Sequence, residues 1–134
     1  MNIQWTEDLA VGVSIIDIQH QELFNRINRL FSACSKGKGK EEIRETLKFL
    51  NDYVIFHFGE EEKIMTEHNY PDYPNHKAQH EFFTKSLDEI KEQFEAKGST
   101  VDLVIRTNRF LTDWLINHIR KIDKVLGSFL KDKI

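Results

Sequence analysis

Apolar residues recur along this chain in alternating steps of three and four, the spacing that keeps one face of a helix turned toward its neighbours. A first helix is predicted from Asp17, as N-cap, to about Ser35, with His20, Leu23, Ile27, Leu30 and Cys34 on its inward stripe. A second, from about Glu41 to Thr66, carries Ile43, Leu47, Leu50, Val54, His57, Glu61 and Ile64. The third, from about Pro74 to Glu95, presents His76, His80, Phe83, Leu87, Ile90 and Phe94, and proline suits its first turn because no intrahelical bond is lost there. The fourth, from about Val101 to near Arg120, presents Val104, Thr107, Leu111, Trp114 and His118, and Ser99 with Asp102 reads as its capping box. Breaks fall at Lys36–Lys40, Asn69–Pro74 and Ala96–Thr100, where glycine, proline and asparagine gather.

The predicted fold is all-α: an up-down-up-down antiparallel four-helix bundle with a short N-terminal arm and a short C-terminal helical segment, one domain over residues 1–134. In that topology the starts of odd helices and the ends of even helices share one end. His20, His57, Glu61, His76, His80 and His118 then meet at one level, and the other end of the core is expected to be aliphatic and aromatic.

A lone histidine on an apolar face is usually a core residue with a hydrogen-bond partner. Five imidazoles and a carboxylate in one layer are another matter, since each group left unpaired costs about 1–3 kcal/mol. A metal centre removes the difficulty by coordinating them together. The pairs His57/Glu61 and His76/His80, each four residues apart, project from one side of their helices, as neighbouring ligands must. Asp123 follows His118 by five residues, about 140° around an ideal helix. Either the fourth helix widens or ends there, or Asp123 is not a ligand.

Composition narrows the chemistry. A chain of 134 residues and 15.9 kDa can bury a core without disulfides, and a formal charge of -3 offers no basic face for nucleic acid. No secretory leader and no apolar run of membrane-spanning length is present, so a soluble, cytoplasmic protein without membrane insertion is expected. The single cysteine, Cys34, is expected to be a buried structural thiol. Clustered cysteines and an H-E-x-x-H motif are both missing, which excludes iron–sulfur clusters, zinc–thiolate sites and zincin proteases. Imidazole with carboxylate suits iron, copper, zinc or nickel by donor type alone.

The ordered set of motifs resembles the hemerythrin family, specifically its single-domain bacterial members. Those motifs are Trp5, the run Ile16-Asp17-Ile18-Gln19-His20, His57 to Glu61 as H-x-x-x-E, Tyr70-Pro71 ahead of His76 to His80 as H-x-x-x-H, and His118 to Asp123 as H-x-x-x-x-D. The resemblance implies two non-haem iron ions with an oxo or hydroxo bridge: His76, His80 and His118 on one, His20 and His57 on the other, Glu61 and Asp123 bridging both. It picks Glu61 over its neighbours Glu60 and Glu62 and leaves the sixth histidine, His68, as a solvated loop residue. One position stays open on the iron with two histidines, so the implied function is reversible dioxygen binding for carriage, storage or delivery, not an enzyme activity.

Leu23, Phe58, Trp114, Leu115 and Ile119 flank the ligand positions and resemble the family's apolar oxygen pocket. A di-iron oxidase or peroxidase is the first alternative, but no glutamate stands three residues before a histidine, as ferritin-like sites require. A sensing module that reports oxygen or redox state is the second; a chain ending soon after its last apolar positions favours the carrier.

Overall fold

Helix ends in this chain are set by local turn chemistry, and those ends decide which side chains face the core. The computed structural model describes residues 4–98, 100–131 and 133. A short 3-10 turn at Glu7–Leu9 leads into α1 (Ser14–Ser35), α2 (Gly39–Glu67), α3 (Tyr73–Lys97) and α4 (Val101–His118). A π-helical turn (Ile119–Asp123) and α5 (Lys124–Leu130) follow. There is no strand among the described residues.

The first two interhelical turns share one design. Gly37 (φ +75°) and Asn69 (φ +54°) sit two positions beyond the last helical residue, in the left-handed region that these residues tolerate best. After α1, Lys38 N–H donates to Ala33 O (2.7 Å) and Gly37 N–H to Cys34 O (3.1 Å); after α2, Tyr70 N–H donates to Met65 O (2.9 Å) and Asn69 N–H to Thr66 O (3.3 Å). These paired bonds cap carbonyls that would otherwise end unpaired. The second turn also delivers Tyr70 into the core.

Two expected caps move. α1 begins before Asp17, whose carboxylate lies in the first helical turn and accepts the Val11 N–H at 2.8 Å. Negative charge is favourable at that position, so Asp17 ties the N-terminal arm to the helix. At α4, Ser99 lies outside the described residues, and the Thr100 hydroxyl accepts the Leu103 N–H at 3.1 Å.

α2, with 29 residues, is about 43 Å long at 1.5 Å per residue. Its five-residue connection to α3 reaches at most about 18 Å, so successive helices must run antiparallel. α1 and α3 each pack against α2 and α4. Nearly all of the anticipated stripe is buried, including Leu23, Ile27, Leu30, Ile43, Leu47, Leu50, Val54, Phe83, Leu87, Val104 and Leu111. Ile64, Ile90, Phe94 and Trp114 are only half-buried, and Met65 replaces Ile64 in the interior.

Two details depart from the sequence reading. Cys34 is half-buried, not buried, because it lies in the last turn of α1 at the bundle's edge; its Sγ accepts a hydrogen bond from Asn108 Nδ2 at 3.2 Å. The end of the core away from the histidines is also not purely apolar, since Thr46, Thr107 and Asn108 are buried there.

The histidine end is closed by the arm and α5. Leu9, Val11 and Val13 of the arm and Leu126 and Leu130 of α5 are all buried. Gly127 makes that packing possible, because a Cβ there would stand 1.8 Å from the Val11 carbonyl oxygen. Gly127→Ala is therefore expected to push arm and α5 apart and cost about 1–3 kcal/mol, the usual penalty of overpacking. Chemical unfolding of the variant beside the parent chain checks this; an unchanged midpoint would show that the arm moves freely.

Candidate metal centre

Each polar side chain of the centre is aimed by a regular element. α1 supplies His20, α2 supplies His57 and Glu61, α3 supplies His76 and His80, α4 supplies His118, and the π-helical turn supplies Asp123. All seven are at most 3% exposed.

The π-helical turn resolves the spacing problem of Asp123. Its hydrogen bonds run from residue i to i+5, so residues five apart stand above one another and not on different faces. His118 Nε2 and Asp123 Oδ1 are 3.2 Å apart as a result. Of the outcomes the five-residue interval left open, the fourth helix widens.

The two carboxylates divide their oxygens between two imidazole groups. Glu61 Oε1 lies 3.0 Å from His80 Nε2 and 3.5 Å from His76 Nε2, while its Oε2 lies 3.7 Å from His57 Nε2 and 3.9 Å from His20 Nε2. Asp123 Oδ1 lies 3.0 Å from His76 Nε2 and 3.2 Å from His118 Nε2; its Oδ2 lies 3.0 Å from His20 Nε2. Two overlapping donor sets result, Glu61, His76, His80, His118 and Asp123, and His20, His57, Glu61 and Asp123. Within each set the donor atoms lie within 4.8 Å of one another.

The charge state of the centre follows from burial and these pairings. Burial drives the His57 imidazole down to about 4, so it is neutral at pH 7. Burial also opposes charge on His76, but Asp123 and Glu61 outweigh it and lift His76 to about 9. His20 is raised as well, Asp123 overcoming the burial penalty. Burial and the neighbouring Asp123 both push Glu61 up, yet His57, His76 and His80 hold it at about 2. Asp123 is held well below the usual carboxylate range, chiefly by His118, against its own burial. Without metal, a proton on His76 thus offsets part of the carboxylate charge.

Two polar residues that the sequence reading did not use complete the frame. Gln19, buried beside His20, places its Oε1 2.6 Å from His57 Nδ1. Glu62, set aside in favour of Glu61, places Oε2 3.0 Å from His80 Nδ1. In each pair the ring N–H donates outward and the Nε2 lone pair is left facing the centre. Gln19 adjoins the candidate ligand His20 in the Ile16–His20 run, a usable signal; Glu62 meets His80 across two helices, which no local pattern announces. His68 is not simply solvated: it is half-buried at the end of α2, its Nδ1 2.9 Å from the Ile64 carbonyl.

Of the expected apolar wall, Leu23, Phe58, Leu115 and Ile119 are buried and Trp114 is half-buried. Phe58 lies flat on His80 (centroids 3.8 Å apart, 5° between planes) and Trp114 on His118 (4.4 Å, 12°). Both aromatic rings therefore back the group with three histidines. Tyr70 meets His76 edge-on at 6.5 Å.

Fold and centre together define a metal-binding four-helix bundle with a buried histidine–carboxylate site. Residues 11–130 match the family model described as the Hemerythrin HHE cation binding domain. The chain belongs to the hemerythrin family. The bacteriohemerythrin of Methylococcus capsulatus is 35% identical over 127 residues, covering 94% of this chain and 95% of that protein. The bacteriohemerythrin of Stenotrophomonas maltophilia is 34% identical over 127 residues, covering 95% of this chain and 80% of its own. A crystal structure of wild-type hemerythrin superposes with a TM-score of 0.84 at 35% identity, covering 96% of this chain and 98% of that one.

These ionisations give the metal-free chain a defined stability optimum. His57, whose unfolded value is 6.5, cannot take its proton in the fold until about pH 4, so stability is lost as pH falls from 6.5 to 4. His76 contributes fully below 6.5 and loses its contribution as pH rises through about 9. The metal-free chain should therefore be most stable near pH 6.5, and His57→Asn should flatten the acid side. Thermal midpoints measured from pH 4.5 to 9 decide it; a midpoint that keeps rising to pH 9 would contradict the assigned ionisations.

Proposed function

We propose that this chain binds dioxygen reversibly at two non-haem iron ions, for oxygen carriage, storage or delivery, within one domain spanning residues 1–134. One observation carries the reading: Glu61 and Asp123 each turn one oxygen to a group of three imidazoles and the other to a group of two. That is the arrangement of bridging carboxylates between unequal neighbours.

In this reading His76, His80 and His118 hold one ion, His20 and His57 the other, and Glu61 and Asp123 serve both. The residues fit such a pair. Both carboxylates, and the Nε2 atoms of His20, His76, His80 and His118, are buried with no hydrogen-bond partner outside the centre. Coordination would satisfy all of them, and a bound cation would displace the proton on His76. The donor set admits other metals; iron is the member that the family resemblance supports.

Bound there, ferrous iron supplies electrons that dioxygen takes up and returns. The protein's part is geometric. The group of two histidines is one imidazole short of its neighbour, so a small molecule finds room beside His20 and His57. Gln19 keeps His57 turned inward. Leu23, Phe58, Trp114, Leu115 and Ile119 serve as the apolar surround that keeps water from the centre, Phe58 and Trp114 on its three-histidine side. Every carboxylate in the centre is engaged by imidazoles, so none is free to act as a general acid or base, and the chain is a binder and not an enzyme. Dioxygen is its partner; its charge of -3 suits no nucleic acid, and no helix among the described residues is long and apolar enough to cross a membrane.

Metal analysis should find two irons per chain, with a visible absorption band that appears in air and disappears on each removal of oxygen. A single tightly held zinc, or irreversible oxidation on first exposure, would overturn the carrier. His118→Ala should lower iron content by weakening the three-histidine position, and a variant retaining two ions would remove His118 from the ligand set.

A further inference from the structure

The two imidazole groups are held from behind by chemically different acceptors. His80 Nδ1 faces the carboxylate of Glu62 at 3.0 Å, whereas His57 Nδ1 faces the neutral amide oxygen of Gln19 at 2.6 Å. Among the described residues, Glu62 is the one carboxylate outside the centre that lies within 4 Å of an imidazole belonging to it. Phe58, stacked flat on His80, blocks rotation of that ring away from Glu62. The Glu62 side chain is 26% exposed, in a groove between α2 and α3 shared with Phe58, Gly59, Lys77 and His80. It is thus the negative group that touches both the solvent and the frame of the centre.

A carboxylate accepting the Nδ1–H of a ligand imidazole raises the donor strength of its Nε2, which favours the metal ion and its more highly charged state. An amide acceptor orients the ring without adding that charge. From this difference we infer that Glu62 is a positioning residue: through His80 it makes the three-histidine group the tighter of the two metal positions and the one with the lower reduction potential. The inference rests on the two-iron reading above. It adds an inequality of grip and potential to the inequality in histidine number, and assigns the lever to a residue that touches no metal.

Glu62→Gln is the informative change, since it keeps an acceptor oxygen and the side-chain shape while removing the charge. Gln19→Glu is its mirror image on the other group. The parent chain, loaded anaerobically with two ferrous ions, should release iron to a chelator in two unequal phases. Glu62→Gln should weaken the slowly released ion about 10- to 100-fold and leave the fast phase unchanged. Its reduction potential should rise, by 59 mV for each tenfold shift of a one-electron equilibrium. Gln19→Glu should instead retard the fast phase. Unfolding of the metal-free variants separates these effects from general damage, and a purely structural role would not move the potential of a chain that still holds two ions.

Two ions released with parental phases and an unshifted potential in Glu62→Gln would overturn the inference and leave the two-iron reading standing. A parent chain that takes up fewer than two ions would overturn both. If Glu62→Gln does not fold, Gln19→Glu decides: a fast phase no slower than the parent's counts against the inference.

Discussion

Five imidazoles and two carboxylates occupy one layer of the core, and their charges have to be balanced within it because they are shut off from water. The rest of the architecture answers that demand. Antiparallel helices bring both starts and both ends to one level, which no parallel arrangement with such short loops achieves. The arm and α5 then seal the level from above. Without a cation, the surrounding imidazoles hold Glu61 and Asp123 low, and the two carboxylates in turn raise His20 and put a proton on His76. A centre that accepts either protons or metal ions in the same places folds around a site instead of being disrupted by one.

The division of carboxylate oxygens is where geometry becomes chemistry. A carboxylate that faced one group alone would make a mononuclear site with spare histidines. Glu61 reaches both groups because it projects between His57 on its own helix and His76 and His80 on the next. Asp123 reaches both because the backbone there is not α-helical. The aromatic rings add rigidity on one side only, Phe58 and Trp114 lying against His80 and His118, so the crowded group is also the stiffer one.

Much of this was legible in the amino-acid order. Helix spans, the inward stripe and the convergence of the histidines follow from a period of 3.6 residues and from glycine and asparagine at the turns. What escaped the reading shares a physical cause: it depends on contacts between elements. Asp17 is a competent N-cap by type, yet Val11 offered it a better partner and α1 began earlier. Cys34 carries the right spacing for burial but sits at the bundle's edge. Glu62 looked like an idle neighbour of Glu61 until α3 placed His80 beside it. The interval from His118 to Asp123 was informative in another way, since it conflicted with an ideal helix and left a widened helix, a helix end or a non-ligand Asp123 open, among which the π-helical turn decides.

That turn reaches beyond the metal centre. A π-helical turn is an α-helix with one residue inserted, and one residue corresponds to about 100° of rotation. α5 is therefore turned by that angle relative to an uninterrupted α4. Leu126 and Leu130 face the core, and Gly127 meets Val11, only in the rotated phase. The plug over the bundle and the fourth wall of the site are consequently set by a single register choice. A deletion that restored a regular helix would not merely lose Asp123 as a donor; it would present α5's polar flank to the arm and unseat the seal, so selection on either feature protects the other.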